Sequence, residues 1–264
     1  MLNPPATDRV QCELRERVAT VVLNRPDALN ALDRQMRDDL ARLFGWCATH
    51  TDEVRAVLLV GNGRAFCSGQ DLREGGDGAS PAESIEAKRS GDFQTILADL
   101  PQPTVAALHG YTLGRGLEVA LTCDVRMAAD DARLGLPEAR LGMLPASGGS
   151  QRLPRLIGVG RALHLLLSGE QVDAPTALAW GLVTRVVPAA DLRNKAQVFA
   201  EGLAAQAPLA LRYARRAVLE GAHLPLADGL RLEAALAAVL RTNEDRAEGI
   251  RAFRDKRPPR FSGR

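Results

Sequence analysis

Apolar and polar residues follow each other along this chain in two rhythms. Val18-Ala-Thr-Val-Val-Leu23 is a run of β-branched and aliphatic residues, which predicts a strand. Asn24-Arg-Pro-Asp27 breaks it. Leu32, Met36, Leu40, Leu43, Phe44 and Cys47 then recur at spacings of three and four, the stripe of a helix, with Asn30 or Asp33 as its cap. Residues 54–60 predict a second strand, which ends in a glycine-rich loop, 61–69. Residues 73–92 are polar and Gly/Ser-rich at first, and they read as a mobile surface loop running into a helix. A helix over 92–100 stops before Pro101 and Pro103. The strand 104–109 meets a second glycine-rich turn, 110–116. A short helix over 117–121 and a strand over 124–128 follow. Helical segments near 150–157 and 160–168 precede a last strand at 183–187.

This alternation of strands and helices predicts the α/β class. From about residue 191 only helical pattern remains, over 192–205, 209–220, 225–240 and 244–254. A soft boundary therefore falls near residue 200, between a core of 1–200 and a helical region of 201–264. No Pro/Gly linker marks it, so the tail is expected to pack on something.

Composition narrows the function. Lys+Arg 34 against Asp+Glu 32 gives +2, and only 4% of residues are aromatic, which argues against nucleic-acid and membrane-surface binders. No apolar run reaches the ~18 residues of a membrane span, and the start, MLNPPATDRV, lacks the pattern of a signal peptide. Cys12, Cys47, Cys67 and Cys123 are far apart and form no CxxC. No zinc or disulfide framework is expected, and a reducing cytoplasm fits.

The two glycine-rich loops allow close backbone approach to a ligand, but neither is a Walker A motif or a GxGxxG fingerprint. The second is followed by Glu118 in an otherwise apolar segment, where burial would raise its pKa and suit it to proton transfer. The plain alternative is a glutamate complementing the dipole of a first helical turn. Glu138 lies in another mostly apolar turn, with a salt bridge to Arg133 or Arg140 as its plain alternative. Two carboxylates together can divide acid and base roles if their environments separate their pKa values. His50, His109, His164 and His223 form no metal-ligand pattern, and no GxSxG is present. Cys67 lacks an evident base to activate it as a nucleophile. The arginines of 211–216, LRYARR, read as a solvated face.

Together these segments resemble the crotonase (enoyl-CoA hydratase/isomerase) superfamily. The carriers are Leu23-Asn-Arg-Pro-Asp-Ala-Leu-Asn-Ala-Leu32, Arg64-Ala-Phe-Cys-Ser-Gly-Gln-Asp-Leu72 and His109-Gly-Tyr-Thr-Leu-Gly-Arg-Gly-Leu-Glu118 with Cys123-Asp124. Leu136-Pro-Glu138, Gly148-Gly-Ser-Gln-Arg-Leu-Pro154, Ala177-Leu-Ala-Trp-Gly-Leu-Val183 and the ending from Glu244 to Gly263 continue the series in family order.

The resemblance implies a crotonase-like spiral of ββα turns with a C-terminal helical trimerisation or lid region, trimers often paired into hexamers, and an acyl-CoA thioester substrate. It places oxyanion donors at the backbone N–H groups of Cys67 and Arg115 and catalytic carboxylates at Glu118 and Glu138. It sets Ala28, Ala65, Ser68, Gly69, Gln70, Asp71, Leu72 and Gly114 along the CoA and substrate path. By the same resemblance Phe253 walls the ligand and Lys256 meets the adenosine phosphate, against the alternatives of a core Phe and a solvated Lys. No metal or redox cofactor is implied, because thioester and oxyanion hole supply the activation. Both glutamates together imply addition of water to a 2-enoyl-CoA. Isomerisation of the double bond, thioester hydrolysis, a degraded hydratase and a non-catalytic acyl-CoA or RNA binder are the competing readings. One departure stands out: the family's turn usually reads Gly-Gly-Gly, and here its centre is Arg115. Its guanidinium is expected to reach solvent or an acid such as Asp71, with narrowing of the acyl pocket or contact to a charged acyl group as the alternative.

Overall fold

Val18, Val22 and their neighbours along the strand bury both faces of the first predicted strand, which explains why it reads as an unbroken apolar run. In the computed structural model, which describes residues 3–74 and 92–264, this strand (β2, Val18–Leu23) lies inside a six-stranded sheet. Its neighbours are β1 (Val10–Arg15), β3 (Ala56–Gly61), β5 (Thr104–Leu108), β7 (Val125–Ala129) and β10 (Arg185–Val187), in the order β1-β2-β3-β5-β7-β10. Only the β1–β2 hairpin is antiparallel; the other pairings are parallel. A second sheet holds β4 (Ala65–Cys67), β6 (Tyr111–Leu113), β8 (Arg133–Gly135) and β9 (Gln171–Asp173) in that order. From β3 to β8 successive strands thus alternate between the large sheet and the small one, the spiral of ββα turns that the resemblance implied.

Two apolar clusters follow from this. Ala19, Val21, Leu23, Val57 and Leu59 face inward with Met36, Leu40, Leu43 and Phe44 of helix α1 (Arg34–Thr49). Val18, Val22, Ala56, Leu58 and Val60 face the other way, against Leu192, Ala196, Ala200 and Ala204. Those four residues recur every fourth position of helix Leu192–Ala204, so the residue-200 boundary falls within a helix that packs on the sheet.

The structure corrects several expectations. β1 was not expected: only Val10 of the strand is fully buried, and its outward residues are Gln11, Glu13 and Arg15, as suits an edge. The glycine-rich loops 61–69 and 110–116 each contain a three-residue strand, too short to show a period. Helix α1 starts at Arg34, and Asp33 is its cap, its side chain accepting the Met36 N–H at 2.8 Å. The arginines of 211–216 are not simply a solvated face. Arg215 bonds Asp124 at 2.7 Å, the Ala98 carbonyl at 2.8 Å and the Leu100 carbonyl at 3.0 Å, fastening the helical tail to the core. The loop expected over 73–92 lies mostly outside the described residues. No helix among the described residues is long and apolar enough to cross a membrane.

Asn30, the rejected cap, holds the site loops together. It takes the left-handed conformation (φ 54°), which asparagine tolerates better than most residues. Its Oδ1 accepts the Arg25 N–H at 2.8 Å, and its Nδ2 donates to the carbonyls of Asn62 and Ala65 at 2.9 and 2.8 Å. Asn30→Ala should cost on the order of 3 kcal/mol, from three lost hydrogen bonds and a strained backbone. Urea unfolding of the two proteins measures it, and an unchanged midpoint would contradict this role.

Candidate active site

Gly114 is the pivot of the site. It takes φ 52° between β6 and helix α3 (Arg115–Thr122), a conformation a side chain would resist. A Cβ there would also stand 2.9 Å from Glu138 Oε1. The left-handed turn therefore falls on Gly114, and Arg115 begins the helix with ordinary negative φ, so the arginine in the family's glycine turn carries no backbone strain. Gly116, the next residue but one, is required by close approach: a Cβ there would stand 2.4 Å from the Cys67 carbonyl oxygen.

Helix α3 then delivers Glu118 into the interior, 2% exposed. Its Oε1 accepts two backbone N–H bonds, from Ser147 at 2.7 Å and Gly149 at 2.8 Å. This cradle was not anticipated from the sequence. Its signal was the glycine pair at 148–149, since a Cβ at Gly149 would meet Pro145 at 2.9 Å and Glu118 Oε1 at 3.0 Å.

Glu138 sits in the short turn Pro137–Leu141. The salt bridge considered for it is absent among the described residues: Arg133 donates to the Ala132 carbonyl and Arg140 to that of Ser168. Its Oε2 is buried, with no hydrogen-bond partner among the described residues. Burial, with a smaller push from the charge of Glu118, raises its pKa to about 7. Both carboxylates line one pocket, with Ser68, Gly69, Gln70, Leu72, Gly114 and Arg115 on one side and Pro137, Leu141, Met143, Leu144, Ala146 and Ser147 on the other.

Cys67 is not on that wall. It is fully buried in β4, burial pushes its thiol up to about 12, and Gly116 packs against its backbone. Of this loop, Ser68, Gly69, Gln70 and Leu72 line the pocket, and Gln70 presents its N–H on that side. Gly69 accepts the Leu32 N–H at 2.8 Å and Asp71 donates to the Leu32 carbonyl at 3.1 Å, so the intervening Gln70 N–H turns to the opposite side. Neither the Gln70 nor the Arg115 N–H donates a hydrogen bond within the described residues. The two loops touch here, since a Cβ at Gly69 would stand 3.5 Å from the Arg115 nitrogen.

The remaining predicted residues scatter. Asp71 is held well below the usual carboxylate range by Arg73 and Arg25, the latter at 2.8 Å. Arg115 therefore meets a different acid, Asp92. Ala28 ends the turn Pro26–Ala28 and Ala65 is buried in β4, and neither borders the pocket. Phe253 is 86% exposed and Lys256 is exposed beyond helix Glu244–Arg254. Neither borders this chain's pocket.

A spiral of paired strands with two carboxylates in one pocket is a specific arrangement, and the sequence matches it along its length. The sequence model described as enoyl-CoA hydratase/isomerase matches residues 13–264. The chain belongs to the enoyl-CoA hydratase/isomerase family. It is 39% identical over 258 residues to (E)-benzylidenesuccinyl-CoA hydratase of Thauera aromatica, covering 96% of this chain and 99% of that one. It is 39% identical over 255 residues to enoyl-CoA isomerase/hydratase fer4 of Mycosarcoma maydis, covering 92% of each. Among solved structures, enoyl-CoA hydratase from Bacillus anthracis superposes with a TM-score of 0.91 at 36% identity, covering 97% of this chain and all of that one. The family's scaffold thus accounts for the two sheets and the helical tail.

Proposed function

We propose that this protein is an enoyl-CoA hydratase, adding water to a 2-enoyl-CoA to give a 3-hydroxyacyl-CoA. The observation that carries the reading is the pair of unequal carboxylates in one pocket: Glu118 cradled by two N–H groups, Glu138 half-buried and shifted to about 7. The thioester oxygen lies against the N–H groups of Gln70 and Arg115. Glu118 takes a proton from water while its oxygen bonds C3. The C2=C3 electron pair moves onto the thioester oxygen as an enolate, and fixed donors stabilise it. Glu138 then gives its proton to C2, and the proton on Glu118 returns to Glu138 through solvent. One water is consumed and both carboxyls are restored.

Assembly into trimers or paired trimers, and ligand contacts by Phe253 and Lys256, belong to the same reading. The exposure of Phe253, Leu226, Leu230 and Val239 on the helical tail supports contact with other copies of this chain. No nucleic-acid or membrane partner and no metal or redox cofactor enters the reading.

Product analysis in heavy-oxygen water tests it. Hydration places solvent oxygen on C3 of the product; an isomerase moves the double bond and takes up none, and that outcome would replace this reading. The pH profile follows from Glu138. The proton donor must carry its proton, so kcat/KM for hydration should fall as pH rises through about 7, about tenfold per unit. A profile flat from pH about 6 to 9 would remove Glu138 from this role.

A further inference from the structure

Arg115 is the family-turn residue that the mechanism above uses only through its backbone. Its side chain is largely buried, with the guanidinium 5.2 Å from the Phe93 ring centroid. Nη1 donates to Gln70 Oε1 at 3.1 Å, Nε to Gln94 Oε1 at 3.2 Å, and Nη2 to Asp92. Gln94 in turn donates to the Ser147 carbonyl at 3.3 Å and Thr122 Oγ1 at 3.4 Å. The Ser147 N–H is one of the two donors on Glu118. A continuous path of hydrogen bonds therefore runs Gln70–Arg115–Gln94–Ser147–Glu118.

We infer that the Arg115 side chain is a positioning residue, which ties the two oxyanion-donor loops to each other and to the cradle of the water-holding carboxylate. The inference rests on the oxyanion reading above. Contact with a charged acyl group is the rival role for a pocket arginine. Asp92 already neutralises this one, and the two glutamines take two more of its five N–H donors, so a substrate carboxylate would meet a cation that is already paired. The positioning role uses the geometry as it stands. Backbone donors act on an enolate oxygen only when held at fixed separation, and a misplacement of about 1 Å costs about a hundredfold in rate. A guanidinium fork holds three separate acceptors with donors fixed in one plane, which glycine cannot do and a lysine ammonium, a single nitrogen on a flexible stem, does not reproduce.

The test pairs kinetics with the infrared carbonyl band of bound butanoyl-CoA, a saturated thioester that cannot be hydrated. In Arg115→Met, kcat should fall about 10- to 100-fold with KM within about twofold. The shift of the carbonyl band to lower wavenumber on binding should shrink. Arg115→Lys, which keeps a cation opposite Asp92, should lose kcat and band shift in the same direction. It carries the test if the methionine variant does not fold. Gln94→Leu should lower kcat but keep most of the band shift, because it severs the path to Glu118 while the Arg115–Gln70 bond between the donor loops remains. Unchanged kcat and band shift in the Arg115 variants would overturn the inference, as would a rise in KM alone or a loss confined to acyl groups bearing a carboxylate. If the unsubstituted protein hydrates no enoyl-CoA, the infrared measurement still decides. A band shift that Arg115→Met leaves intact defeats the positioning role alone; no band shift in the unsubstituted protein defeats the oxyanion reading beneath it.

Discussion

Replacing Glu138 with glutamine should lower kcat for enoyl-CoA hydration about a thousandfold and leave KM nearly unchanged. The amide keeps the shape of the side chain and removes the only proton donor proposed for C2, and general acid catalysis is worth about 10²- to 10⁴-fold. The fold should not suffer. The carboxyl pKa rises from 4.5 to about 7 on folding, so the folded chain holds this proton more tightly than the unfolded one. Its ionised form therefore costs stability that appears as pH rises from about 4.5 through 7, and glutamine carries no such cost. Glu138→Gln should melt with the unsubstituted protein near pH 4.5 and above it at about pH 8, in paired thermal scans. A variant that keeps its activity, or one that melts lower at about pH 8, would contradict the proton-holding role and the raised pKa described for Glu138.

Glu118→Gln should be as severe in activity for a different reason. Both cradle donors, the N–H groups of Ser147 and Gly149, point at Oε1. A glutamine can offer its carbonyl oxygen to them and keep the geometry, but its amide nitrogen then faces the water and accepts no proton. A loss of about 10²- to 10⁴-fold in kcat follows, with a fold as stable as the parent's. Because the two glutamates act on one water and one enolate, the double variant should be little worse than either single one. Steady-state rates of the three variants measure this, and a product of the two single losses in the double variant would show that the carboxylates work independently.

The long elements were legible because their residues meet water on one side or none. Helix α1 shows its apolar stripe, and β2 and β3 read as apolar runs because both faces are covered. The small sheet was hidden inside the glycine-rich loops, since three residues cannot display a period. β1 was hidden because an edge strand carries its polar residues outward. At the site, Glu118 and Glu138 were visible as acidic residues in apolar surroundings. The backbone cradle of Glu118 was not, because N–H donors carry no side-chain signature beyond the glycines that make room for them. The move of the proposed oxyanion donor from the Cys67 N–H to the Gln70 N–H has a similar origin: which residue of a turn presents its N–H depends on strand register, here set by the Leu32–Gln70 bridge. Arg115 was visible as a departure, but its acid, Asp92, lies in a segment whose sequence says nothing of where it docks.

The most direct measurement is the decay of the enoyl-thioester absorbance when purified protein is mixed with crotonyl-CoA and longer 2-enoyl-CoAs, run beside Glu118→Gln and Glu138→Gln. Turnover in the unsubstituted protein, lost in both variants while they still bind acyl-CoA, is the result this account predicts. Absence of decay at every chain length despite thioester binding, or decay as fast in either variant as in the unsubstituted protein, would contradict it.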